Sequence, residues 1–434
     1  MKKFHKALFT LVVVLALVVT GCSSNESEGK EDSDKTVLNL WFSLSGENGR
    51  NFEEIIDDFN EESDEYEINP VYQGSYTDTI TKIRAVGETD APALLMASGT
   101  NRKYLAERDY IVPVQKFIDE EDFDLSDMNE NVINRYTIDD TLYSMPFSAS
   151  NAIMFYNKDM FEEVGLDPDN PPKTFSEIEE AAQKIKDETG NVGFSMATIG
   201  WFFEQLLVNQ GALYLDNDNG FSDKPTKTLI DGPEGLEIFE WLDRMNKAET
   251  FRNYGSNWED PRAPFLAGEL GIYFDSSANV RHMVDDAPFE IGTAALPVPD
   301  GVEPNGAQVG GNSIYITDKT PEEHQEGAWE FLKYLVSAPV QAKWAAATGY
   351  IPIVGVATEE EVLKKTLEEY PQMLTAVEVN EYTPAEPSTS GPLSDEGEEF
   401  RTIVEAAQEA VYEGKDPKEA LDEAAAKINE LLNE

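Results

Sequence analysis

Cysteine is nearly absent from this chain, with one residue, Cys22, in 434. A disulfide needs two thiols, and a structural zinc site usually needs several cysteine or histidine ligands. Histidine is almost as scarce: His5, His282 and His324 lie far apart in the sequence. There is no G-x-S-x-G elbow, no H-E-x-x-H, no P-loop and no G-x-G-x-x-G. No positioned nucleophile or base can be named, so an enzyme is not expected, nor a metal or cofactor. The abundant carboxylates keep a secreted glycoside hydrolase as the alternative of another class. Basic residues are also few, 33 against 84 acidic ones, for a net charge of −51. Phosphate backbones need a basic footprint, which excludes nucleic acid as a partner.

One apolar run stands out. Ala7 to Val19 follows Lys2, Lys3 and Lys6, the layout of a secretory signal peptide and shorter than the ~20 residues a spanning helix needs. Val19, Thr20, Gly21 and Cys22 resemble a bacterial lipobox, whose cysteine receives diacylglycerol. The reading is a signal peptide over 1–21, then a lipidated Cys22 and a solvated tether over 22–36. That places the working domain outside the cell membrane, held by lipid alone. Removing Lys2, Lys3 and Lys6 leaves 30 basic against 84 acidic residues, or −54. Such a surface repels itself unless salt screens it, which fits a saline or alkaline habitat. With 41% hydrophobic residues the rest is nonetheless globular in composition, and its length suggests two lobes.

From Val37 onward, strand and helix patterns alternate. "VLNLWFSLSG" reads as a strand, "NFEEIIDDFNEE" as an amphipathic helix, "YEINPVYQGSY" as a strand, "TDTITKIRAVGE" as a helix and "PALLMAS" as a strand. This rhythm predicts a mostly parallel sheet with covering helices. In "TLYSMPFSASNAIMFYNKDMF" two strand-like runs meet at Pro146 without a helix between them, as where a chain crosses between lobes. Thr174 and Glu177 form a capping box ahead of "FSEIEEAAQKIKDETG". The C-terminus reads as two helices.

Strand ends carry aromatic and small polar residues. Trp41 ends the first strand, Tyr76 sits at a turn into a helix, Trp201 opens a helix, and Tyr350 follows a helix end. Open α/β sheets place ligands at strand carboxyl ends, and flat rings with a polar edge suit a sugar face. Ser276 and Ser277 stand at a helix start, either as caps or as ligand contacts, and Asp275 is a carboxylate at a strand end. Trp241, Trp329 and Trp344 fall on apolar helix faces and read as core.

Together "MPFSASNAIMFYNKDMFEEVGLDPDNPPKTFSEIEEAAQKI", "YQGSYTDTI", "DAPALL", "GGNSIYI" and "TGYIPI" resemble an extracellular solute-binding protein (family 1) of a carbohydrate-type ABC importer, nearest the glycerol-3-phosphate-binding subgroup. The resemblance implies an α/β, two-lobed periplasmic-binding-protein-like fold of type II, with crossing strands as a hinge and a ligand cleft between the lobes. It implies lobe 1 over 37–147 plus 309–348 and lobe 2 over 148–308 plus 349–434, a monomer, and ABC permease subunits as partners. Carried over by position, the subgroup's ligand residues fall on Tyr76, Ser150, Trp201, Ser276 or Ser277, Gly310 or Gly311, and Tyr350. Three positions depart: the family's glutamate is Gly99, its first paired tryptophan is Thr198, and its phosphate-gripping arginine falls near Leu393, with Arg401 matching another family arginine. A phosphate drawn from water needs a cation. These departures favour a roomier pocket and an uncharged sugar or oligosaccharide, with sn-glycerol-3-phosphate or a glycerophosphodiester as the alternative.

Overall fold

A computed structural model describes residues 35–86, 90–107 and 110–434. The signal peptide, Cys22 and nearly all of the tether lie outside the described residues. Thr36–Glu434 forms one compact unit.

The first element is β1 (Thr36–Phe42), whose inward residues Leu38, Leu40 and Phe42 alternate with more exposed ones, the period of a pleated strand. Helix α1 (Gly46–Glu62) turns Phe52, Ile55, Ile56 and Phe59 onto one face, at the spacing a helix needs to bury a stripe. β2 (Tyr66–Tyr72), α2 (Tyr76–Ala85) and the fully buried β3 (Leu94–Ser98) follow. β2, β1 and β3 are parallel, as the alternating pattern predicts. The sheet continues differently. β10 (Gly310–Thr317) runs antiparallel to β3, to the short β4 (Ile111–Val112) and to β5 (Met145–Ser150). The expectation of a mostly parallel sheet therefore holds for only three strands. β10 enters from the other sheet, so no helical crossover constrains its direction.

The second sheet has the order β9–β6–β8–β7, formed by β6 (Ala152–Asn157), β7 (Val192–Met196), β8 (Leu270–Ser276) and β9 (Ile291–Ala295). β7 and β8 are parallel and the other pairings antiparallel. The chain passes between sheets at Asn151, not at Pro146. Pro146 stays inside β5, opposite Ser313, where the register shifts. A strand end or irregularity is where proline's missing donor is tolerated.

Helices cover both sheets: α3 (Glu130–Tyr136), α4 (Phe175–Thr189), α5 (Gly200–Asn209), α6 (Pro233–Lys247), α7 (Glu259–Leu266), α8 (Val280–Asp286), α9 (Glu322–Leu335), α10 (Ala338–Thr348), α11 (Gly397–Tyr412) and α12 (Pro417–Leu432). Trp241, Trp329 and Trp344 are buried core, and Phe175 stacks on Trp241 at 4.3 Å. Among the described residues no helix is long and apolar enough to cross a membrane.

Candidate functional site

A cleft of about 710 Å³ opens where loops from the two sheets face each other, a size suited to a small organic ligand. One wall comes from the carboxyl ends of β1, β2 and β3: Ser43 to Asn48, Ser75 to Thr77, and Ser98 to Thr100. The other carries Ile199 and Trp201 after β7, Trp258 ahead of α7, and Ser276 at the end of β8. Ser150, Gly310, Gly311 and Tyr350 line it between them. The walls touch at the rim. Asn48 Nδ2 donates to the Ala278 carbonyl at 3.4 Å, and Ser98 Oγ donates to Glu398 on α11 at 3.4 Å.

Tyr76 is set by the first turn of α2. Ser75 and Asp78 close a capping box there, and Asn312 Nδ2 donates to the Tyr76 hydroxyl at 3.0 Å. Burial pushes that phenol's pKa well up, so it stays a neutral donor and acceptor. Gly310 has a steric reason. A Cβ there would stand 3.0 Å from the Trp201 ring and 3.1 Å from Ser150 Oγ, so bare backbone lets indole and hydroxyl adjoin. Tyr350 is held by a stack on Trp344 with ring centroids 5.2 Å apart. Ser276 accepts a hydrogen bond from the Ala278 amide at 3.2 Å, so it serves as a cap and still lines the cleft.

Tyr76, Gly99, Ser150, Trp201, Ser276, Gly310, Gly311 and Tyr350 therefore meet at one cavity. Three other candidates do not. Trp41 packs against a small cluster with Leu95 and Tyr315. Ser277 is fully buried, its Oγ accepting from the Asn151 amide at 3.2 Å at the crossing between sheets. Asp275 is also fully buried, and its carboxylate is consumed inside the protein: Arg262 reaches it at 2.9 Å and the Ser276 amide at 2.7 Å. Neither residue has a face toward a ligand.

Trp258 is one of the cleft residues that sequence reasoning missed, and Arg135 is another. The Trp258 ring lies 5.5 Å from that of Trp201, so two indoles line the cleft although residue 198 is a threonine. Thr198 itself donates to Asn253 at 2.9 Å. The signal was faint, because Trp258 follows an irregular loop rather than a strand.

Guanidinium groups line the cleft, although none stands at Leu393, where the family's phosphate-gripping arginine falls. Leu393 does not line the cleft, but Arg50, Arg135, Arg262 and Arg401 do. Arg50 pairs with Glu47, and Arg262 with Asp275 and Glu259. Arg401 donates Nε and Nη2 to the two oxygens of Glu204, at 2.9 and 2.7 Å. Nor is the space at Gly99 vacant: a Cβ there would lie 2.5 Å from Arg135 Nε, so the Arg135 side chain occupies the room a larger residue at 99 would take. On the opposite wall, burial raises the pKa of Glu405 although it accepts a hydrogen bond from the Gly200 amide.

Comparison with known proteins agrees with this architecture. The pattern of the bacterial extracellular solute-binding protein family matches residues 54–375. The sn-glycerol-3-phosphate-binding periplasmic protein UgpB of Yersinia pseudotuberculosis is 30% identical over 99% of this chain and 98% of that protein. The structure of UgpB from Mycobacterium tuberculosis in complex with glycerophosphocholine superposes with a TM-score of 0.79, at 19% identity, covering 92% of this chain and 98% of that one. For the cyclic alpha-maltosyl-1,6-maltose binding protein of Arthrobacter globiformis the TM-score is 0.73 at 24% identity, with 92% and 99% covered. The chain belongs to the bacterial extracellular solute-binding protein family. It is a two-lobed solute-binding receptor for transport rather than an enzyme.

Proposed function

We propose that the protein captures a hydroxyl-rich solute, a sugar or oligosaccharide, between its lobes and delivers it unaltered to a membrane permease. One observation carries this reading: two indoles, two phenols and a set of hydroxyl and backbone donors converge on one cleft. Ring faces supply affinity by stacking on C–H surfaces, and Ser150, Ser276 and the backbone at Gly310 and Gly311 supply orientation. The lobes are built on the two sheets, which the chain first joins at Asn151, between β5 and β6, and closure between them shifts the population toward the form the permease reads. The chain acts as a monomer, anchored to the outer face of the cell membrane by lipid on Cys22. A second reading, sn-glycerol-3-phosphate or a glycerophosphodiester, is favoured by the guanidinium groups lining the cleft and by the names of its relatives.

A thermal-shift screen over sugars, polyols and glycerophosphates tests the reading, because a ligand that binds only the folded state raises the melting temperature. Trp201→Ala is expected to weaken capture of the hit by about 1–3 kcal/mol in titration calorimetry. No stabilisation by any member of the panel would remove the proposal.

A further inference from the structure

Two arginines lie under the cleft with no carboxylate in an ion pair with them among the described residues. Arg102 and Arg135 are 1% and 3% exposed. Neither takes part in an ion pair among the described residues, whereas Arg50, Arg262 and Arg401 all do. Their hydrogen bonds go to backbone carbonyls. Arg102 Nη1 donates to Gly99 at 2.8 Å, its Nη2 to Ser390 and Gly391, and Arg135 Nη1 to Ser390. The Nε of each is buried and has no hydrogen-bond partner among the described residues. Burial, and for Arg102 the nearby charge of Arg135, lowers both pKa values, that of Arg102 to about 9. The carboxylate whose charge acts on both is Glu204, and it is already held by Arg401. Removing an ion from water without a counter-charge is among the costliest arrangements a fold can hold.

Arg135 is the member of the pair that reaches the cleft, and Gly99 is what lets it. Any side chain at 99 would collide with the Arg135 side chain at Nε. We propose that Arg135, at the gap left by Gly99, is the anion subsite of the cleft, taking an oxyanion, phosphoryl or carboxylate, carried by the hydroxyl-rich solute. The solute would supply the counter-charge that the protein omits, and Arg102 behind it would add to the field. This inference rests on the proposed capture of a hydroxyl-rich solute and narrows its class to an anionic derivative of a sugar or polyol. A guanidinium suits this role because its planar fork stays charged and matches two oxygens of a phosphate or carboxylate.

The test compares matched pairs by titration calorimetry on the purified protein: glycerol with sn-glycerol-3-phosphate, and glucose with glucuronate. Inorganic phosphate serves as a minimal probe in thermal shift. The charged member of one pair is expected to bind at least tenfold tighter, and the pair that shows it separates phosphoryl from carboxylate. Arg135→Gln should cut that charged-to-neutral ratio about tenfold or more, and Arg135→Lys should restore part of it. Gly99→Ala, which displaces the guanidinium while leaving it in the chain, should lower the ratio in the same direction. Should Arg135→Gln fail to fold, Gly99→Ala and the wild-type ratio decide the matter. Equal affinity for charged and neutral members, or a ratio unmoved by both substitutions, overturns the subsite while leaving neutral solute capture standing. Absence of binding by every hydroxyl-rich compound removes both.

Discussion

At Asp275 five donors meet one carboxylate. They are Arg262 through two nitrogens at 3.0 and 2.9 Å, the Tyr273 hydroxyl at 3.0 Å, the Ser276 amide at 2.7 Å and Asn279 at 3.2 Å. The carboxylate is fully buried, so its role is to fix Arg262 and the start of the turn after β8. Asp275→Asn leaves Arg262 without its buried counter-charge and is expected to cost about 3–5 kcal/mol of unfolding free energy in urea denaturation. A loss under about 1 kcal/mol would mean the pair is solvated. Sequence position alone could not separate this buried acid from a ligand-facing one, because both kinds end strands. The same limit explains Trp41 and Trp258: one ends a strand and packs away from the cleft, the other follows a loop and faces it.

Local elements were more legible, because their signals act over a few residues. The capping box ahead of α4 is present as read: Thr174 Oγ1 accepts from the Glu177 amide at 3.3 Å, and Glu177 accepts from the Thr174 amide at 3.1 Å. Phe175, Ile178, Ala182 and Ile185 then follow at helical spacing into the core. Thr174→Ala should lower stability by about 1 kcal/mol, read as an earlier urea midpoint with an unchanged slope. No measurable shift would show that the surrounding packing sets the start of α4 without its cap. Pro146 was the harder case. Proline marks a break in isolation, but β5 accommodates it through a shifted register with β10, a partner about 165 residues later that local pattern does not reveal.

Charge acts on the whole molecule. The acidic excess of −51 over the full sequence loads the native state with repulsion that counterions screen within about a Debye length, some 30 Å at 0.01 M and 3 Å at 1 M. The melting temperature is therefore expected to rise by several degrees between low and molar sodium chloride in differential scanning calorimetry. A flat profile would show that the acidic residues are already spaced or paired enough not to interact. Within this field the buried guanidinium groups under the cleft are an exception of sign, and only the fold brings Arg102 and Arg135 to the Gly391 loop, far later in the chain.

By itself the sequence determined the alternation of strands and helices, the buried tryptophans, the caps and several of the residues that meet in the cleft. Those follow from hydrophobic period, capping chemistry and the short motifs shared with solute-binding proteins. Tertiary structure alone decided that β10 runs antiparallel, that Trp258 joins Trp201 at the cleft, that Asp275 is spent on Arg262, and that Arg135 fills the space at Gly99. Each of these is a contact between residues far apart in the chain, and its energy depends on distance and burial, which no local pattern encodes.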